Sequence, residues 1–411
     1  MLKNYFKIAI AVLKRRKFFT FISLFGIAFT LTILIVLTAF LDHLISPQYP
    51  DTKRARSLYI NTATRTHSGK GFQSNGPLSY HFLNKYVSSM KTPERVGIGS
   101  IFITTNTYIN NKKLEIDMKY TNADFWEVQE FEFLEGRPYT AQEITNGDHV
   151  VVISEQTRRD YFGETTAVGK YFETDNVKYR VCGVVKDVPI TLIFSYANVY
   201  LPYTLSKTGR NDTRFEGMYT AIILARSKAD LPAIQDEYQQ TIARIPLKGE
   251  EFNELHSYAD TYLASFTRIL LGKDDSSGVG KFVLSIGLFA LFFMLLPTLN
   301  LININISRIM ERSSEIGVRK AFGASSKTLV YQFIIENIIL TLIGGLLGLA
   351  LSAIVILVLN SSQLIPHMYL AINFTVLAWA FIVCLVFGFF SGVYPAWRMS
   401  KLQVVTALKA Q

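Results

Sequence analysis

The residue types that most often carry chemistry are few in this chain and widely spaced. The two cysteines are Cys182 and Cys384, and because the second lies inside a long apolar run, we expect no disulfide between them. The six histidines are His43, His67, His81, His149, His256 and His367. They lack the spacing of metal ligands. These residues therefore predict neither a metal site nor a catalytic constellation.

A phosphate-binding loop is the next chemistry to consider. The pattern GxxxxGK[ST] cradles nucleotide phosphates with its backbone amides, and it does not occur in the 411 residues. The nearest approach is Gly278–Lys281, which is followed by Phe282 and lacks the required spacing. We therefore expect no cofactor and no enzymatic activity in this chain.

The most informative polar stretch is ERSSEIGVRKAFGASS, residues Glu311–Ser326, which stands between two apolar runs. Glu315 and Arg319 form an acid-then-base pair at helical spacing, and Gly323 is placed to end a helix in a left-handed cap. The pattern predicts a short helix along the membrane face, and this helix would be a binding site for another protein. An ordinary solvated loop is the alternative.

One charge, Glu336, lies in the apolar run that follows. Carboxylates inside a membrane are functional by default. Glu336 comes nine residues after Lys327, which is about 13 Å along a helix and still near the headgroups. We therefore favour a structural or conformational role for Glu336 over proton coupling.

Four apolar runs are long enough to cross a bilayer, whose core of about 30 Å takes roughly 20 apolar residues. They are residues 18–41, 282–306, 328–359 and 374–393. The first is too long for a secretory signal and predicts an uncleaved anchor. Pro297 predicts a kink in the second. Gly344 and Gly348 in the third, and Gly388 and Gly392 in the fourth, allow close helix packing, either within one protomer or between two.

The charges predict the orientation of these spans. From His43 to Gly278 there are 27 Lys and Arg against 28 Asp and Glu, which leaves 15 and 4 for the rest of the chain. Fourteen of those 15 basic residues lie in the two tails and in Arg308–Lys327. Because short cytoplasmic loops are enriched in Lys and Arg, we expect these segments and both termini in the cytoplasm. The net charge of +10 thus indicates topology, and it does not indicate nucleic-acid binding.

The predicted fold is a membrane α-helical protein with four transmembrane helices and an α+β extracytoplasmic domain between the first two. The α+β domain is predicted from a mixture of strand-like and helix-like runs. The helix-like runs include Leu231–Ile245, with Asp230 as its N-cap. We expect it to divide near residues 190–217 and to end in a stalk that contains Gly278. The predicted segments are 1–17 (interfacial helix or solvated lead-in), 18–41 (first span), 42–281 (domain and stalk), 282–306 (second span), 307–327 (coupling helix), 328–359 (third span), 360–373 (short loop), 374–393 (fourth span) and 394–411 (tail).

Several of these segments carry a family resemblance. Residues of about 282–405 resemble the FtsX-like permease domain. The segments that carry this resemblance are ERSSEIGVRKAFGASSKTLVYQFIIENIILTLIGGLLG and SGVYPAWRMSKLQVVTALK. Three earlier segments resemble the MacB-type periplasmic core domain: TNADFWEVQEFEFLEGRPY, VVISEQTRRDYFGETTAVGKYF and YRVCGVVKDVP. These matches occur in the same order as in the family, so the chain is identified as a member of the MacB-type permeases.

The resemblance implies a permease subunit of an ABC transporter in the bacterial inner membrane, paired as a homodimer or heterodimer. Its cytoplasmic segment would act as the coupling helix on an ATPase. The implied coupling residues are Glu311, Arg312, Glu315, Ile316, Gly317, Arg319 and Lys320. MacB carries its ATPase ahead of the first span, whereas only 17 residues precede that span here. We therefore expect a separate ATPase subunit to bind ATP and Mg²⁺.

The resemblance also implies mechanotransmission, in which ATP hydrolysis inside drives movement outside. The nearly charge-free spans show no polar tunnel, which fits work done on the outer side. Efflux through an adaptor and an outer-membrane channel is the leading hypothesis. Lipoprotein extraction, as in the LolC/LolE permeases, and regulation of cell-wall hydrolases, as in FtsX, are the alternatives. A receptor or enzyme has no support from a catalytic constellation.

Overall fold

The computed structural model describes residues 15, 17–67, 73–109, 112–206, 212–247, 252–272, 276–311 and 326–400. The chain forms two compact units. The inserted domain consists of Leu44–Phe282 together with Ile365–Met368, and the remaining residues make the membrane unit. The predicted interfacial helix at 1–17, except for residues 15 and 17, lies outside the described residues, as does the end of the tail at 401–411.

The helices and strands follow one another in the order expected for a domain inserted between membrane helices. The described α-helices are α1 Lys17–Ile45, α2 Tyr80–Phe82, α3 Asp124–Val128, α4 Ala141–Asn146, α5 Glu155–Phe162, α6 Leu231–Ala243, α7 Tyr262–Leu271, α8 Val279–Glu311, α9 Ser326–Ser362 and α10 Phe374–Ser400. The described strands are β1 Ser57–Ile60, β2 Ala63–Thr66, β3 Gln73–Gly76, β4 Arg95–Ser100, β5 Ile103–Ile109, β6 Lys112–Thr121, β7 Phe133–Gly136, β8 Val150–Ser154, β9 Tyr171–Thr174, β10 Val177–Val185, β11 Val199–Pro202, β12 Tyr219–Leu224 and β13 Glu254–Ser257.

A ten-stranded sheet forms the centre of the inserted domain, with the order β1-β12-β4-β6-β11-β8-β10-β7, and with β5 on β6 and β9 on β10. Most pairs are antiparallel, but β11 with β6 and β10 with β8 are parallel. A second sheet has the order β13-β2-β3. The domain therefore combines α and β structure, as the sequence predicts.

The strands form where β-branched and aromatic residues are concentrated, because such side chains pack well on a pleated surface. All five residues of β8 are buried. The strand-like run Val96–Ile109 is broken at residues 101–102 into β4 and β5. Asp230 is the N-cap residue of α6, as predicted, but its carboxylate accepts from the backbone and hydroxyl of Ser227 and makes no cap bond to α6.

The predicted division near residues 190–217 is not found. Strand β11 lies in the middle of that segment, and it pairs with β6 on one side and β8 on the other. A strand that joins two neighbours in the centre of a sheet cannot form a boundary between subdomains. The ten-stranded sheet therefore runs through this segment without a break.

Lys119 on β6 is fully buried in this sheet. Its Nζ donates to the carbonyl oxygens of Ser100 at 2.7 Å and Ile193 at 3.2 Å, and no described carboxylate forms an ion pair with it. Burial lowers the pKa of Lys119 from 10.5 to about 7, because a charged amine is poorly solvated there. Two carbonyl acceptors match the two N–H bonds of a neutral amine.

In the membrane unit, α1, α8, α9 and α10 run through the four predicted spans. Three described stretches are long and apolar enough to cross a bilayer: Lys17–Ile45, Val279–Leu296 and Ile334–Ser362. The apolar part of α10, Leu377–Ser391, is shorter. A membrane protein with an α/β domain is thus established, whereas the count of four spans stays a prediction.

Candidate functional site: the membrane-proximal junction

Arg54 lies close in sequence to the point at which α1 enters the inserted domain, at Leu44. Its Nη1 donates to the carbonyl oxygens of Leu44, Ile45 and Ser46 at 2.8–3.0 Å. Its Nε donates to Asp51 Oδ2 at 2.8 Å. The last carbonyls of a helix have no partner within the helix, and they carry the negative end of its dipole. A guanidinium, with five N–H donors in a fixed plane, satisfies several of them at once.

The Asp51 carboxylate is the counter-ion of this arginine. It also accepts from Tyr59 Oη at 2.7 Å, and Tyr59 is fully buried on β1. Burial raises the pKa of Asp51, while Arg54 and Tyr59 act in the opposite direction by favouring the charged form. Burial also raises the pKa of Tyr59, so its hydroxyl keeps the proton that it donates. The resulting Arg54 cluster, Arg54 with Asp51 and Tyr59, is buried and hydrogen-bonded.

Helix α7 packs on the same cluster. The Arg54 guanidinium lies 3.6 Å from the centre of the Tyr262 ring, at the first turn of α7. Tyr59 meets that ring edge to face at 5.2 Å. Later in α7, Arg268 Nε pairs with Asp260 Oδ2 at 2.5 Å. The stalk predicted before the second span is therefore not free, because α7 is folded onto the sheet.

Gly278 lies in the turn between α7 and α8. Its φ of +77° is in the left-handed region, and a Cβ there would come within 2.8 Å of the Leu271 carbonyl carbon. Glycine accepts both conditions because it has no Cβ. Thr267 Oγ1 donates to the Ser277 carbonyl at 2.9 Å, and Lys281 Nζ donates to the Leu271 carbonyl at 3.3 Å. These two bonds hold residues 277–281 against α7.

Asp187 is a third point of attachment within the inserted domain. Its carboxylate accepts from the Gln156 backbone N–H at 2.9 Å and from Arg159 Nη2 at 3.3 Å. His367 Nδ1 lies 3.7 Å from Asp187 Oδ2. His367 belongs to the segment Ile365–Met368 between α9 and α10, which forms part of the inserted domain. The connection between the last two membrane helices therefore also reaches this domain.

A polar cleft of about 550 Å³ lies beside α7, on the face of the small sheet. Alternate residues of a strand share one face, and here they are mostly polar. The cleft lining includes Thr64, Thr66, Asn75, Glu254, His256 and Arg268. Hydroxyl, amide and charged groups of this kind fit a polar ligand better than an apolar one.

Three of the four predicted packing glycines, Gly344, Gly348 and Gly388, lie at close helix contacts. A Cβ on Gly344 would come within 2.8 Å of Ile27, and one on Gly348 within 2.9 Å of Leu31, both on α1. Thr32 Oγ1 also donates to the Gly348 carbonyl at 3.2 Å. Gly388 on α10 lies against Thr341 on α9. These contacts lie within one protomer.

The remaining predicted residues are placed as follows. Glu336 on α9 is 3% exposed and therefore buried in the membrane unit. The backbone of α8 is helical through Pro297, and that of α10 is helical through Gly392. Glu311 is the last residue of α8. The other coupling residues, from Arg312 to Lys320, lie outside the described residues.

Sequence reasoning did not single out Arg54, although a signal was present. An acid and a base three residues apart, Asp51 and Arg54, follow directly after the first apolar run. The inserted domain contains many charged residues, however, and the sequence does not show which of them are buried. Only burial distinguishes Arg54 from its neighbours Lys53 and Arg56.

Two family models match this chain. The MacB-like periplasmic core domain matches residues 20–241, and the FtsX-like permease C-terminal domain matches residues 287–404. Together the matches include most of the inserted domain and nearly all of α8, α9 and α10.

Curated relatives match over a large share of the chain. The uncharacterized ABC transporter permease YknZ of Bacillus subtilis is 25% identical over 70% of this chain and 68% of its own length. The macrolide export ATP-binding/permease protein MacB of Salmonella typhimurium is 26% identical over 86% and 53%, respectively. The pyoverdine export ATP-binding/permease protein PvdT of Pseudomonas aeruginosa is 26% identical over 71% and 42%. The chain thus spans about half the length of the MacB and PvdT relatives.

Solved structures of similar domains give weaker matches. The extracellular domain of YknZ, described as a noncanonic ABC-type transporter from Gram-positive bacteria, matches with a TM-score of 0.34 and 15% identity, over 44% of this chain and 91% of that domain. The periplasmic region of MacB from Actinobacillus actinomycetemcomitans matches with a TM-score of 0.34 and 16% identity, over 47% and 94%.

Proposed function

Since the chain belongs to the MacB-like permeases, whose core-domain model matches more than half of it, we propose that it transmits force from a partner ATPase to the inserted domain. It is an ABC transporter permease with membrane helices and a periplasmic domain. In the proposed cycle, ATP-driven closure of the ATPase pushes the cytoplasmic segment after α8. The inserted domain then moves and acts on a client outside the membrane.

The Arg54 cluster carries this proposal. Transmission of force requires that a membrane helix cannot turn independently of the domain it drives. Arg54 binds the last two carbonyls of α1, the carbonyl of Ser46 that follows and the buried carboxylate of Asp51. A buried ion pair of this kind strongly resists loss of one partner. It therefore supports a stiff connection between α1 and the sheet.

The partner proposed for the cytoplasmic segment is a separate ATPase subunit, which binds ATP and Mg²⁺. The permease itself pairs with a second permease chain, identical or related. Replacing Glu315 with Arg and Ile316 with Asp should release the ATPase, because the docking face would lose its charge and its apolar contact. Co-purification in mild detergent, with Ser314→Ala as control, measures the loss. A double variant that retains its ATPase and transports fully would contradict the assignment.

The proposed orientation places both termini in the cytoplasm and the inserted domain outside. Tyr171 on β9 is exposed and serves as an outer site. A membrane-impermeant maleimide, applied to cells with a permeabilised outer membrane, should label Tyr171→Cys and not Ser314→Cys. Labelling of position 314 alone would reverse the orientation.

The proposed activity is export, through an adaptor protein and an outer-membrane channel. Support comes from the relatives named for macrolide and pyoverdine export. We propose a structural role for Glu336 in the helix bundle, because its side chain is buried. Identification of proteins that co-purify with the ATPase complex tests this: an adaptor is the expected result. Recovery of a trapped lipoprotein instead would favour lipoprotein release.

A further inference from the structure

The small sheet β13-β2-β3 has two faces of opposite character. On one face, Ala63 and Leu255 pack against a hydrophobic core of the inserted domain. Arg65 and Ser74 on the same face both donate to the Glu216 carboxylate. Side chains alternate between the two faces along a strand, so the neighbours of these residues lie on the other face. That second face is the floor of the polar cleft.

Six polar side chains form two regular rows on this floor. The strand register places three of them side by side in the first row: His256, Thr64 and Asn75. The second row, two residues away along each strand, consists of Glu254, Thr66 and Gln73. Neighbours within a row are about 5 Å apart at Cβ, and the rows are about 7 Å apart. The floor is therefore a regular grid of hydrogen-bonding groups.

Helix α7 closes one side of the grid. Arg268 and Ile269, near its end, line the cleft together with Tyr258, which follows β13. The Arg268 guanidinium lies 3.9 Å from the centre of the Tyr258 ring. Every lining residue belongs to the inserted domain. The cleft thus lies within one compact unit of the chain.

The charged groups of the described lining already have partners. The Asp260 carboxylate accepts from both Nε and Nη2 of Arg268. The Glu254 carboxylate accepts from Thr66 Oγ1 at 2.9 Å and lies 3.6 Å from His256 Nε2. The lining thus contains one paired acid and one paired base, which favour neither an anionic nor a cationic ligand.

The polar groups that are left for a ligand are neutral. The side chains of Thr64, Gln73 and Asn75 form no hydrogen bond with any residue that the structure describes. A hydroxyl and a carboxamide can each donate and accept. They complement a ligand that carries many hydroxyls, because each ligand hydroxyl also does both. The Tyr258 ring and Ile269 add apolar surface, which suits the C–H groups of a sugar ring.

We propose that this cleft binds a neutral saccharide, with its hydroxyls on the side chains of Thr64, Gln73 and Asn75. The volume of about 550 Å³ lies within the range of about 300–1,000 Å³ that small-molecule sites occupy. The site adds a ligand to the inserted domain, and it does not depend on the proposed force transmission.

The test measures binding to the full chain in lipid nanodiscs, which avoids detergents with sugar headgroups. Saturation-transfer NMR titrations use maltose, cellobiose and N,N′-diacetylchitobiose as neutral probes, and glucuronate as the charged probe. At least one neutral probe should bind with a Kd of about 1 mM or lower. Glucuronate should bind more weakly than that probe, because the lining offers no unpaired base.

Two substitutions locate the site. Asn75→Ala and Thr64→Val each remove hydrogen-bonding groups from the floor of the cleft, and each should weaken binding about fivefold. Asn106→Ala is the matched control, because Asn106 is likewise exposed on a strand, β5 of the large sheet.

Three outcomes would overturn the assignment: no binding of any neutral probe, tighter binding of glucuronate, or equal binding by the Asn75→Ala and Asn106→Ala chains. Since no ATP is present, each of these results leaves the proposed force transmission untouched.

Discussion

The inserted domain is attached to its two flanking membrane helices in unlike ways. At the end of α1, a buried guanidinium makes four hydrogen bonds and has a buried counter-ion. At the start of α8, the contacts are a glycine in the left-handed region, a Thr267 bond to the Ser277 carbonyl, one long, exposed bond from Lys281 and an edge contact between Phe266 and Phe282. Under the proposed force transmission, we expect the first attachment to be the stiff one and the second to allow a change of angle. A lever needs both a fixed arm and a hinge.

The largest effect is expected from breaking the stiff attachment. Arg54→Leu leaves Asp51 buried without its counter-ion and exposes three carbonyls, which should cost about 3–5 kcal/mol of unfolding free energy. Chemical denaturation of the full chain in detergent measures this loss. Transport should fail as well, even at temperatures at which the variant is still folded.

Arg95→Leu is the matched control for Arg54. Arg95 also pairs with two carboxylates, on Asp124 and Glu127, but its side chain is 48% exposed. Surface pairs contribute at most about 1 kcal/mol. If the two leucine variants lose equal stability, burial is not what makes the first attachment stiff.

The second-largest effect is expected from replacing Lys119, which belongs to neither attachment. Its loss should change stability without changing the coupling of ATP hydrolysis to transport. Its folded pKa of about 7 lies below the usual 10.5, so the unfolded chain binds more protons between these values. Stability should therefore rise with pH through this window, by up to about 1.4 kcal/mol per unit, and fall as the pH drops to 7. Lys119→Met should remove that rise.

Thermal unfolding of both chains at pH 7 and pH 9 measures this difference. Coupling of ATP hydrolysis to transport should be the same in the two chains at pH 9, because the hydrogen bonds of Lys119 involve neither the Arg54 cluster nor the Gly278 turn. An unchanged pH dependence in the methionine variant would show that another group titrates. A loss of coupling would show that stiffness within the sheet also matters.

The difference between the two attachments was only partly predictable from the sequence. Gly278 was predicted to lie in the stalk before the second span, but its left-handed conformation was not predicted. The role of Arg54 was not predicted, since it depends on contacts with residues up to Tyr262, far away along the chain. The stalk was predicted because the GKDDSSGVGK segment is polar, but α7 just before it is held by tertiary contacts. Local composition predicts spans and turns well, and it predicts buried ion pairs poorly.

The third effect concerns the hinge. Gly278→Ala forces an alanine into the left-handed region, at a cost of about 1–2 kcal/mol, and its Cβ would crowd Leu271. Transport per ATP hydrolysed should fall while the domain stays folded. Gly280→Ala is the control, because a Cβ there meets nothing within 4 Å. Equal effects at both glycines would remove the case for a hinge at Gly278.

The smallest effect is expected at Lys281. Its size, compared with that of Arg54→Leu, measures how much the two attachments differ in their contribution to stability and transport. Lys281→Met removes one exposed bond of 3.3 Å to the Leu271 carbonyl. Water can replace this partner, so the loss of stability should stay under about 1 kcal/mol, and transport should remain near normal. Denaturation and transport assays on this variant, made beside Arg54→Leu, compare the two ends directly. If Lys281→Met stops transport as completely as Arg54→Leu does, then the second attachment is also rigid, and the domain must move as one body with both helices.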